Sequence, residues 1–273
     1  MSLKNLLVFV DDRPDATARI EVAAQLARRH DAHLTGVHIY RPLMIPPALN
    51  GVVVDEILSA EEEISNKAAA AAEALFLEAM RREGLRHGWR VERSAVPHRA
   101  AIHARAADLS IVGQATEGVE TVVLPEDVAL LSGRPVLVVP AVGRFPSVGE
   151  NPLVAWKPSR EASRAVHDAL PLLEAAGKAT ILIVDPDPDS EGEAPGSDLA
   201  VHLSRHGITA TVDRAFTEGG TPVADVILSR AADLGADLLV MGCYGHARLR
   251  EMILGGVTRD ILASMTLPVL MSH

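Results

Sequence analysis

Short apolar runs alternate with amphipathic stretches along the whole 273-residue chain. Leu6 to Val10 is a continuous apolar run closed by Asp11-Asp12, the pattern of a strand buried on both faces. From Pro14 to Arg29 the period changes: Ile20, Ala23, Ala24 and Ala27 fall on one side of a helix. Thr35 to Tyr40 predicts a second strand, and a proline-rich loop then leads to an alanine-rich helix from about Ser59 to Glu83, stopped by Gly84. Val91 to Val96 predicts a third strand, Arg99 to Ala106 a short helix, and Asp108 to Gly113 and Pro135 to Val139 two more strands.

After a turn-rich break at 142–152 the same order returns. Leu153 to Trp156 is a strand and Ser159 to Ala176 a helix, with Ala162, Ala165, Val166, Ala169 and Leu173 inward and Pro171 predicting a kink. Thr180 to Val184 (strand), Leu199 to Arg205 (helix) and Ile208 to Arg214 (strand) follow, an acidic loop standing before that helix. Pro222 to Leu234 (helix), Ala236 to Gly242 (strand), Thr258 to Met265 (helix) and Leu267 to Met271 (strand) complete the second set. The repeat is visible in letters too. Ala107-Asp108-Leu109-Ser110-Ile111-Val112-Gly113 aligns with Ala236-Asp237-Leu238-Leu239-Val240-Met241-Gly242, and Arg134-Pro135-Val136-Leu137-Val138 with Leu267-Pro268-Val269-Leu270-Met271. Strands alternating with helices imply parallel sheets with crossover helices on both faces. The fold class expected is α/β, in two tandem domains, residues 1–145 and 146–273.

Composition narrows the function classes. Hydrophobic residues make up 48% and aromatics only 3%, so the cores must be built from Ala, Val, Leu and Ile. A net charge of −10, from 36 acidic and 26 basic residues, argues against general nucleic-acid binding, which depends on neutralising phosphates. No apolar stretch approaches the about 20 residues of a membrane helix, and the N-terminal apolar run, broken at Asp11, is too short for a signal. The lone Cys243 permits no internal disulfide and suits a reducing compartment. A cytoplasmic protein with no membrane and no nucleic-acid partner is expected.

The stretch Met241 to Thr258 separates the halves. It carries Gly242 and Gly245 at the end of a buried strand, then Gly255-Gly256 at the start of the last helix. Glycines let backbone N–H groups approach a ligand, and a helix N-terminus attracts anions, so this order suits a phosphate cradle. It is not a Walker loop, and no G-x-G-x-x-G occurs in the chain. A tight structural connection is the plainer alternative. The matching stretch of the first half, GQATEGVETVVLPED, lacks both the Gly-x-x-Gly and the glycine pair, so the first half is expected to be degenerate as a site.

Gly242-Cys243-Tyr244-Gly245, nine residues, then Gly255-Gly256-Val257-Thr258 resembles the ATP-binding signature of universal stress proteins, and the ending Thr266-Leu267-Pro268-Val269-Leu270-Met271 is similar to that family's last strand. The resemblance implies two Rossmann-like (adenine-nucleotide-hydrolase-like) domains, each a mostly parallel five-stranded sheet flanked by helices, packed as an intramolecular pseudo-dimer with Pro135–Val139 and Leu267–Met271 meeting antiparallel. It implies ATP or a related adenine nucleotide, with or without Mg²⁺, in the second half, and a stress-response role exercised through conformational or partner switching. Phosphates would lie against Gly242, Gly245, Gly255, Gly256, Val257 and Thr258, and Val184 would line the adenine pocket. The strand-end residues Ala155, Trp156, Lys157 and Met241 complete the candidate site. Two positions depart from the family pattern: Lys157 stands where an Asp is usual, and Gly256 where Ser or Thr is usual. Further homodimerisation is compatible with the resemblance.

Other candidates are weaker. Arg248, Arg250 and Arg259 surround the glycine loop and are candidate phosphate contacts or ordinary surface arginines. Asp198, His202 and His206 fall on one helix face, a possible zinc set or simply a solvated face. Cys243 is a candidate redox-sensitive thiol or a small packing residue. Asp11-Asp12 is expected to cap the first helix, with nucleoside contact as the sharper alternative. There is no G-x-S-x-G, no H-E-x-x-H and no kinase-type Lys/Asp set, so no catalytic residue is assigned. A non-nucleotide ligand-binding or scaffold protein of the same fold, or a slow ATPase, are the alternatives.

Overall fold

The computed structural model describes residues 2–43, 52–94, 96, 98–116, 118, 121–186, 194–245 and 256–273. Among them the strands are β1 (Asn5–Phe9), β2 (His33–Tyr40), β3 (His87–Arg93), β4 (Leu109–Gly113), β5 (Val136–Val139), β6 (Pro152–Ala155), β7 (Lys178–Val184), β8 (Thr209–Ala215), β9 (Leu238–Gly242) and β10 (Val269–Ser272). The helices are α1 (Ala16–His30), α2 (Val52–Glu83), α3 (Arg99–Ala104), α4 (Pro125–Ser132), α5 (Arg160–Ala176), α6 (Ser197–Arg205), α7 (Val223–Asp233) and α8 (Gly256–Ser264).

All the strands join one sheet in the order β3-β2-β1-β4-β5-β10-β9-β6-β7-β8. Within each half every pairing is parallel; the halves meet where β5 and β10 pair antiparallel, Val138 opposite Val269 and Val136 opposite Met271. The order therefore reads the same from either edge, as two copies of one topology related by a pseudo-twofold axis at that junction. Side chains alternate across the sheet. Leu6, Val8 and Val10 enter a core layer with α1, α2, α5 and α6, while Leu7 and Phe9 enter the other with α3, α4, α7 and α8. Both layers run through β5 and β10, so the halves share their cores.

The duplication extends to polar detail. Asp108 accepts hydrogen bonds from the N–H groups of Lys4 and Asn5, and Asn5 Nδ2 donates to Ala106 O. In the second half Asp237 accepts from Gly149, Glu150 and Asn151, and Asn151 Nδ2 donates to Leu234 O. Each Asn–Asp clamp ties the start of a half's first strand to the start of its fourth, at the end of the sheet opposite the glycine turn.

Element bounds differ from expectation where local chemistry outweighs periodicity. β3 begins at His87, not Val91: HGWRVER does not alternate, yet Trp89 stacks over Phe76 with ring centroids 5.4 Å apart. Gly36 on β2 permits this, since a Cβ there would lie 2.6 Å from Trp89 Cε3. α4 was not expected from the apolar pattern, although its start and stop signals are in the sequence. Pro125 occupies its first turn with Glu126 and Asp127, and Gly133, at φ 70°, ends it in the left-handed region. α2 begins at Val52 instead of Ser59, and α5 runs unbroken through Pro171. Among the described residues no helix is long and apolar enough to cross a membrane.

Candidate functional site

In the second half β6 lies between β9 and β7, so the crossovers leave β6 in opposite directions. Open α/β sheets bind ligands outside the carboxyl ends of the strands at such a reversal. The described candidate residues collect there. Ala155 ends β6 and Trp156 donates its backbone N–H to Leu182 O at 2.8 Å, leaving Lys157 exposed beyond it. Val184 ends β7 half-buried; Met241 and Gly242 end β9, with Met241 buried. Gly256, Val257 and Thr258 open α8, with Thr258 only 5% exposed. Gly255, Arg248 and Arg250 lie outside the described residues, and Arg259 sits beside Asp260, Nε to Oδ1 3.4 Å.

The first turn of α5 forms the inner wall. Ser159 caps the helix, its Oγ accepting from Ala162 N at 3.2 Å. A Cβ at Gly242 would lie 2.5 Å from Ala162 N and 2.6 Å from Glu161 C, so the end of β9 touches the α5 backbone and only glycine fits. Three residues on, a Cβ at Gly245 would meet Glu161 Oε2 at 3.1 Å. Glu161 is 7% exposed, and its carboxylate faces the turn. Burial pushes its carboxyl up, but its own backbone N–H, the Ser159 hydroxyl and the Arg160 and His273 charges together hold it below the ordinary glutamate value.

Tyr244 adopts a left-handed φ of 59°, and its phenol oxygen is buried without a hydrogen-bond partner. Burial first, then the nearby Glu126, pushes its hydroxyl far above the ordinary tyrosine value. Glu126 belongs to α4, so this part of the glycine turn faces the first half. Cys243 is buried, donates Sγ–H to Ser272 O at 3.4 Å, and has its thiol pushed up to about 12 by burial and then by Glu161. Of the two readings of Cys243 the small packing residue is favoured: a thiol in an apolar layer beside a carboxylate has no reason to ionise. Nor do Asp198, His202 and His206 gather as ligands; His206 Nδ1 lies 3.2 Å from Glu174, and no group of three or more metal-ligating side chains occurs among the described residues.

The matching place in the first half is filled from within. Asp11 does not cap α1, whose N-cap position is Asp15. Instead Asp11 accepts from Arg13 at 3.0 Å and from Arg19 at 2.9 Å. Arg19 is 3% exposed, and a Cβ at Gly113 would lie 2.1 Å from its Nη1, so its guanidinium occupies the glycine surface at the end of β4. Gln114, next in the chain, donates Nε2–H to Leu262 O of α8 at 2.7 Å and so ties this strand end to the other half. Burial raises the Asp11 carboxyl, but Arg19 and Arg13 more than offset this and hold it below the ordinary aspartate value. Sequence reasoning missed Glu161 and Arg19. The clue was available in the repeat, where Asp15 and Glu161 occupy the same place after their strands while Arg19 is matched by Ala165.

Residues 151–273 match the model described as "Universal stress protein family". Among solved structures, a universal stress protein from Archaeoglobus fulgidus DSM 4304 superposes with a TM-score of 0.70 at 17% identity, covering 98% of each chain. A putative universal stress protein from Pseudomonas aeruginosa UCBPP-PA14 gives 0.61 at 15% identity, covering 99% of this chain and 93% of that one. A functionally unknown protein from Pseudomonas aeruginosa PAO1 gives 0.62 at 14% identity, covering 99% and 92%. No curated protein matches the sequence. The likeness over the whole chain is one of fold.

Proposed function

Residues 151–273 belong to the universal stress protein family, and from that premise we propose that this half binds ATP or a related adenine nucleotide while the first half does not. The reading takes the chain as two domains, 1–145 and 146–273. One observation carries it: the Gly242–Gly245 turn and the start of α8 lie at the reversal of strand order in the half whose first-strand end, among the described residues, lacks the Asp11–Arg19 type of ion pair found in the other. There the base would lie toward Val184, the sugar toward Ala155, Trp156 and Lys157, and the phosphates toward Gly245, Gly255, Gly256 and Thr258. A nucleotide held there would bear on Tyr244, and through it on α4 of the first half. Such a linkage suits a protein that works by conformational or partner switching in a cytoplasmic stress response, with no general base assigned for turnover.

The test is calorimetric titration of the purified chain with Mg-ATP, ADP and AMP up to millimolar concentrations, beside thermal stabilisation by each. Saturable heat with stabilisation supports the reading; neither at millimolar Mg-ATP refutes it. Lys157 and Gly256, which replace the family's usual Asp and hydroxyl, favour a second reading, a small ligand other than a nucleoside triphosphate. Binding of AMP or another small molecule with no response to ATP would select it.

A further inference from the structure

The glycine turn of the proposed nucleotide site is bordered by acid. Glu161 Oε2 would lie 3.1 Å from a Cβ at Gly245, and Asp260 Oδ2 would lie 3.8 Å from a Cβ at Gly256. The described glycines at the two ends of the loop thus each face a carboxylate. In the first half the equivalent acid, Asp15, stands 3.7 Å from Arg13 and beside the Arg19 guanidinium at Gly113. The second half has Ser159 and Ala165 in place of those arginines. Among the described residues the cations that bear on Glu161 are Arg160, which lies 3.3 Å from Oε1 with its side chain 81% exposed and therefore screened by water, and His273. A triphosphate entering this turn meets a buried negative charge without the two arginines that accompany its counterpart in the first half.

Resting on the nucleotide reading above, we propose that Glu161, seconded by Asp260, makes the site selective for the divalent-cation complex of the nucleotide and rejects the free polyphosphate. Like charges a few ångströms apart near a protein surface repel appreciably. Mg²⁺ resolves the conflict in its usual way, held by one or two carboxylates together with phosphate oxygens and its remaining waters. Glu161 is suited to this by position: the α5 cap and the packing of Gly242 fix the backbone of the first turn, and only the end of the Glu161 side chain is free to adjust.

The full chain is titrated calorimetrically with ATP in excess Mg²⁺ and with ATP in EDTA, as wild type, Glu161→Gln and Asp260→Asn. The wild type is expected to bind Mg-ATP more tightly than free ATP by about tenfold or more. Glu161→Gln should shrink that ratio severalfold by strengthening the binding of free ATP, a gain that a merely structural role does not produce. Asp260→Asn, at a half-buried position of α8, should shrink it less and serves as the readout should Glu161→Gln fail to fold. Equal wild-type affinity for the two forms overturns the inference but leaves nucleotide binding standing. An unchanged ratio in the folded variants does the same. No binding of either form by the wild type refutes the nucleotide reading and the inference with it.

Discussion

Replacing Gly242 by alanine should damage the fold before it damages any site. The new Cβ would lie 2.5 Å from Ala162 N, 2.6 Å from Glu161 C and 2.9 Å from Glu161 Cβ. The first two are backbone atoms of a capped helical turn and cannot rotate away. α5 is held to the sheet by its buried face, including Ala162, Ala165, Val166 and Ala169, so relief requires moving the helix or bending the end of β9. Overpacking of this kind costs about 1–3 kcal/mol. At roughly 2–4 °C per kcal/mol for a chain of this order of size, the midpoint should fall by roughly 2–12 °C. Gly245→Ala is the internal control: the atoms near it belong to the end of the Glu161 side chain, at 3.1 and 3.7 Å, which can shift. Its stability should stay within about 0.5 kcal/mol of wild type. Thermal unfolding followed by circular dichroism compares the two. An unchanged midpoint for Gly242→Ala, or equal losses in both variants, would refute the packing role assigned to Gly242.

Two further outcomes follow from buried charge and burial. Arg19→Met should destabilise by about 1–3 kcal/mol at neutral pH, the cost of a part-buried Asp11 left with Arg13 alone. Because Asp11 is held below its ordinary value when folded, its contribution is present above the unfolded pKa of about 3.9 and is lost as pH falls through the lower folded value. The gap between wild type and variant in urea unfolding should therefore narrow from pH 6 to pH 3; a constant gap would refute the pairing. Cys243 should react with a thiol reagent at pH 8 only after unfolding, and prompt reaction of the native chain would contradict its burial.

Most of the fold was legible because the chain states it twice. The repeated apolar runs, the Asp108 and Asp237 positions and the two Pro-Val-Leu strands gave the parallel halves, and the family resemblance gave the antiparallel meeting of β5 and β10. What escaped was governed by contacts between distant residues. β3 is anchored by Trp89 over Gly36, a fit that no local period encodes, and α4 is marked by its ends more than by its apolar positions. At the candidate site the glycines were legible but their reasons were not. Gly242 is small because α5 touches it, and Gly113 because Arg19 lies on it. Spacing reports that a side chain is missing, and only the packed neighbour reports why. The same holds for Cys243, whose position beside a glycine turn left a reactive thiol and a packing residue both open until the apolar layer around it was known.

The most direct measurement is the number of adenine nucleotides bound per chain, read by native mass spectrometry of the protein with Mg-ATP, for wild type, Gly245→Val and Arg19→Met. One adduct per chain is expected, lost in Gly245→Val and retained in folded Arg19→Met, because the proposed site lies in the second half alone. No adduct, two adducts, or a single adduct that survives Gly245→Val would contradict the assignment of the site to that half.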